Sequence, residues 1–62
     1  MTYAEKVKKL RNIMLISQGE LAELLKVSIV TVNRWEKQRF EPTIKVKRLL
    51  NELFLKYKVV DQ

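Results

Sequence analysis

A chain of 62 residues with no cysteine and no histidine has room for one small core. Disulfides are excluded, a structural zinc has none of its usual ligands, and no triad or dyad that depends on imidazole or thiolate can form. The net charge of +6 and a pI near 9.9 favour polyanions, chiefly nucleic acid or an anionic membrane surface.

In chain order, Thr2-Tyr3-Ala4-Glu5 has the pattern of a capping box, in which hydroxyl and carboxylate satisfy backbone N–H groups at a helix start. Behind it, Tyr3, Val7, Leu10 and Met14 recur at i, i+4, i+7 and i+11, one stripe of an amphipathic helix. Leu15-Ile16 leads into a second capping box, Ser17-Gln18-Gly19-Glu20, whose helix is expected to turn Leu21, Ala22, Leu24 and Leu25 inward or nearly so. Ser28 is the next N-cap candidate, and the third helix is predicted from Ile29 to about Lys37. Gln38 to Pro42 reads as a loop, because the proline disfavours helix at Glu41. Thr43 is read as the cap of a last helix holding Ile44, Leu49, Leu50, Leu53, Phe54 and Tyr57, with the VVDQ end expected to fray. Strand signals are weak throughout, so the fold class is all-α: a compact bundle of four to five helices, four of them read above, forming a single domain over residues 1–62.

The longest apolar runs are far too short to span a bilayer, and MTYAEKVKKL lacks the apolar core of a secretory signal. The expectation is a cytoplasmic protein with no membrane partner, no metal and no cofactor. Seven carboxylates exist, but no pair belongs to a recognisable catalytic motif, so no enzyme is expected. An amphipathic membrane helix is the weaker reading of the last segment, whose Leu, Phe and Tyr are more simply the wall of a core.

Charge and periodicity converge on the third helix. From Lys26 to Arg48 there are seven basic residues (Lys26, Arg34, Lys37, Arg39, Lys45, Lys47, Arg48) against two acidic ones (Glu36, Glu41). With Ile29 set at 0° and about 100° per residue, Val32 and Trp35 point together toward the core. Ile29, Val30, Asn33, Arg34 and Lys37 lie on the opposite half. Asn can hydrogen-bond an adenine edge, Arg can fork onto guanine, and small apolar groups can touch thymine methyls. An ordinary solvated face would show the same residue types. The short KVS turn between two capped runs, Ser17 to Lys37, is a helix-turn-helix signature, with Ala22 placed for close crossing. An αα corner used only for packing is the bland alternative.

Leu10-Arg11, SQxELAxLL from Ser17 to Leu25, VSxxTVNRWE from Val27 to Glu36, and Pro42 together resemble the phage-repressor/Cro-like (XRE) helix-turn-helix family over roughly residues 7–53. The resemblance implies sequence-specific binding of double-stranded DNA, with the third helix in the major groove and a role in transcription regulation. It implies base reading by Ile29, Val30, Asn33 and Arg34. Phosphate contacts are implied for Gln18, Thr31, Lys37, Arg39 and Thr43, with Gln18 also buttressing the recognition helix. Arg11 and Glu36 match an ion pair tying the first helix to the third.

Several positions depart from the family. Lys26 stands where glycine is usual, and Lys37-Gln38 where Asn-Gly is usual; both sites follow helix ends that favour a left-handed residue. The only glycine, Gly19, sits in a helical first turn. Ile29 and Val30 are greasy for a recognition helix and, with Ile13, Leu15, Ile16 and Phe40, suggest an apolar surface. Hence a second reading, a helix-turn-helix scaffold diverged or redesigned to bind a protein partner or to homodimerise. In the DNA-binding reading a single copy covers only a half-site, and the leucine-rich last helix, Ile16 and Val59-Val60 are the candidate dimer surfaces for a second copy.

Overall fold

Hydroxyl-bearing residues precede all four helices of the computed structural model, which describes residues 2–59. The helices are α1 (Tyr3–Met14), α2 (Gln18–Leu25), α3 (Ile29–Glu36) and α4 (Ile44–Lys56), with no strand among the described residues. Thr2 and Ser17 each accept from the backbone N–H three residues on, while Glu5 and Glu20 reach back to the cap, completing both capping boxes. Ser28 Oγ accepts from Thr31 N at 3.1 Å. Thr43 departs from expectation: its backbone is extended as a cap requires, but its hydroxyl makes no cap hydrogen bond.

All four helices stop in the same way. Leu15, Lys26, Gln38 and Lys58 adopt the left-handed conformation, with φ of 58–59°, and none is glycine. The next residue's N–H then reaches back to a carbonyl in the last turn: Ile16 to Arg11, Val27 to Ala22, Arg39 to Arg34 and Val59 to Phe54, at 2.7–3.1 Å. Together with the bond that the left-handed residue itself makes three residues back, at 3.1–3.3 Å, this is the Schellman arrangement, which satisfies carbonyls that a helix end leaves open. After α1, α2 and α4 the residue past the turn is apolar (Ile16, Val27, Val59) and packs in or against the core. After α3 it is Arg39, which is exposed.

The core joins Val7 and Leu10 of α1, Leu21, Ala22 and Leu25 of α2, Val32 and Trp35 of α3, and Leu50, Phe54 and Val59 at the C-terminal side. Tyr3 and Phe54, with ring centroids 6.1 Å apart, tie the start of α1 to α4. Ala22, buried, lies in the helix pair whose three-residue turn, Lys26 to Ser28, swings α3 against α2. No described helix is long and apolar enough to cross a membrane.

Several expectations on the apolar residues need correction. Leu24, Ile44 and Leu49 face solvent. Each lies about 100° or more from the centre of its helix's buried stripe, beyond the reach of a neighbouring helix. Val59 does not fray but is buried, so it offers no dimer surface, and Ile16 is partly buried against the core. Val60 and the two residues after it lie outside the described residues.

Candidate nucleic-acid interface

The inner side of α3 buries Val32 and Trp35, as its periodicity requires, and this fixes which residues face outward. Ile29 and Val30 are about half exposed, at 53% and 54%. Arg34 and Lys37 are exposed and Asn33 is half-buried. The one carboxylate of α3, Glu36, is turned inward and only 4% exposed, so no negative charge interrupts the outer face of the helix.

Glu36 is held by a chain of side-chain hydrogen bonds that ends at Asn33. Arg11 grips the carboxylate with two donors, Nε to Oε2 at 2.5 Å and Nη2 to Oε1 at 2.8 Å. Its third contact, Nη1 to the Ile16 carbonyl at 3.3 Å, pins the guanidinium to the turn after α1. Gln18 Nε2 donates to Glu36 Oε1 at 3.0 Å, and Gln18 Oε1 accepts from Asn33 Nδ2 at 3.3 Å. Burial alone would push the Glu36 carboxyl up; hydrogen bonds from Arg11 and Gln18, with the Arg11 charge, outweigh it and hold the carboxyl below its ordinary value. The bond to Glu36 likewise raises Arg11.

The consequence for Asn33 is chemical. One Nδ2 hydrogen goes to Gln18, which turns the amide so that Oδ1 and the second Nδ2 hydrogen stay available. A bidentate contact to adenine N6 and N7 uses one acceptor and one donor. Gln18 thus contacts α3 through both ends of its amide.

The remaining site residues fall into two groups. Asn33, Arg34, Lys37, Arg39 and Phe40 line a cleft of about 400 Å³ beside α3. Thr31 and Thr43 instead border an adjoining apolar groove of about 290 Å³ against Trp35 and Val46. The Thr31 hydroxyl lies 2.8 Å from Ser28 Oγ and so takes part in the α3 cap. Phe40 lines both cavities, is 61% exposed, and has the Arg34 guanidinium 5.4 Å from its ring centroid. From the sequence alone Phe40 is expected only as part of an apolar surface. Its signal was an aromatic next to Arg39 in a polar loop, where nothing demands burial.

A family model described as helix-turn-helix matches residues 7–54, which contain the whole α2–turn–α3 unit. Comparisons with curated proteins and with solved structures gave no match.

Proposed function

Since the chain belongs to the phage-repressor/Cro-like (XRE) family of DNA-binding helix-turn-helix domains, we propose that it reads double-stranded DNA sequence-specifically by laying α3 in the major groove. The observation that carries this reading is the sorting of charge on α3. Its amide and cations face outward into one cleft, and its only carboxylate is buried against Arg11. In this proposal Ile29, Val30, Asn33 and Arg34 meet base edges. Gln18, Thr31, Lys37, Arg39 and Thr43 lie along the phosphates, and the protein is a non-enzymatic transcription regulator of the cytoplasm or nucleoid. One copy covers a half-site, and a second copy about one helical turn away supplies tight binding.

Cations facing phosphates displace condensed counterions, so affinity must fall steeply with salt. Fluorescence anisotropy with a labelled duplex at two salt concentrations tests this. The expected result is a linear loss of log affinity with log salt, with a slope of several ions. A flat response, or no binding at low salt, overturns the reading.

The exposed Ile29 and Val30, with Ile13, Leu15 and Leu24 elsewhere on the surface, favour the second reading, a scaffold that docks a protein or another copy of itself. In that case Ile29→Ser and Val30→Ser would abolish association while leaving any DNA affinity intact.

A further inference from the structure

We propose that Phe40 is a positioning residue for Arg34: its ring restricts where the guanidinium can lie, and this sets base preference at the position Arg34 reads. The inference rests on the DNA-reading function above and adds to it a residue outside the recognition helix.

Arg34 is exposed, and among the described residues its guanidinium makes no hydrogen bond or ion pair. A long cation in that situation samples many rotamers, and ordering it on contact with DNA opposes binding. Its one partner is the face of Phe40, 5.4 Å away at the ring centroid. Attraction between the guanidinium charge and the ring face uses none of the five N–H donors as a hydrogen-bond partner. Those donors are the ones that fork onto guanine O6 and N7.

The backbone explains how a residue six positions away returns to cover Arg34. Gln38 takes the left-handed conformation and reverses the chain, and the Arg39 N–H closes on the carbonyl of Arg34 itself at 2.9 Å. Phe40 follows directly, and the buried Pro42 anchors the far side of the loop. At the other three helix ends the residue past the turn is apolar and feeds the core. Here that position is the exposed Arg39, and the following aromatic covers the cation instead. The ring that is 61% exposed is therefore placed by the same turn that ends the helix it serves.

The test has an arm without DNA and an arm with it. In the free protein, ring current from Phe40 should shift the Arg34 side-chain proton resonances upfield. Phe40→Leu should return them to ordinary values, and Phe40→Tyr should retain the shift. On DNA, a preferred duplex is first selected from random sequence with the unmutated protein. Phe40→Leu should then reduce the ratio of preferred to random affinity roughly two- to fivefold, the span of an exposed cation–π contact. Phe40→Tyr should restore the ratio, and Phe40→Leu should add nothing in an Arg34→Ala background. Thermal melts of each variant establish that the fold is kept. Unshifted Arg34 protons in the unmutated protein overturn the contact whatever DNA does. An unchanged ratio in Phe40→Leu, with DNA binding intact, overturns the specificity role alone. Failure of the unmutated protein to bind any duplex overturns the DNA reading and, with it, that role.

Discussion

Asn33 and Arg34 are neighbours on α3, yet they are constrained by different parts of the fold. Asn33 is tied through Gln18 to the buried Glu36, whereas Arg34 lies over the ring of an exposed loop residue. Among the described residues Lys37 has no such side-chain partner, and in the proposed function it contacts a phosphate. The two cations should therefore respond differently to truncation. Arg34→Ala is expected to weaken a preferred duplex by about 1–3 kcal/mol and a random one by less, because a lost bidentate contact discriminates between bases. Lys37→Ala is expected to weaken both alike. Equilibrium titrations of each variant on matched preferred and scrambled duplexes separate the two roles.

At the level of the helix, starts and stops are built from different materials. The starts use Thr2, Ser17 and Ser28, which are among the best caps available. The stops force a left-handed backbone on Leu15, Lys26, Gln38 and Lys58, side chains that disfavour it. Meanwhile Gly19 occupies a helical first turn with an ordinary φ, where a Cβ would meet Ile29 Cδ1 at 3.6 Å and Ser17 Oγ at 3.8 Å, both normal contacts. Two substitutions should accordingly stabilise the protein. Lys26→Gly relieves the left-handed strain by up to about 1 kcal/mol, less what glycine adds to the freedom of the unfolded chain. Gly19→Ala contributes about 0.5–1 kcal/mol through helix propensity. For a domain this small each kcal/mol raises the melting temperature by about 4–8 °C, so thermal melts followed by circular dichroism resolve both. A lower melting temperature for Lys26→Gly would show that the lysine stem contributes packing that outweighs its strain.

For the whole molecule, the Arg11–Glu36 pair couples stability to pH, because it joins α1 to α3 through a buried carboxylate. Glu36 has a lowered pKa when folded, so its contribution is complete above the unfolded carboxylate value of about 4.3. It is lost as pH falls through the lower folded value. Glu5, lowered by the Thr2 backbone hydrogen bond, acts with the same sign but at the surface. Urea midpoints of the unmutated protein should therefore fall between about pH 5 and pH 2, with those of Glu36→Gln falling less over the same window. At pH 7, Glu36→Gln should cost about 2–4 kcal/mol, somewhat below a fully buried pair because Arg11 keeps contact with water. Equal acid sensitivity in both proteins would remove Glu36 as the coupling group.

Much of this was readable from the chain. Capping boxes are local patterns, and stripes such as Tyr3-Val7-Leu10-Met14 record helical period directly, so the four helices and the three-residue turn followed from sequence. The outward face of α3 followed as well, because Val32 and Trp35 fix the inward side of a rigid rod. What periodicity leaves open is how far around each helix its neighbours extend. Leu24, Ile44 and Leu49 are apolar but lie beyond that cover, while Val59 is drawn into the core by a turn whose left-handed residue, Lys58, carries no sequence mark. Only the tertiary structure decided that Gln18 bridges Glu36 to Asn33 and that Phe40 lies over Arg34. Those contacts depend on backbone reversals and helix crossings, which bring together side chains that share no helical face and no periodic spacing.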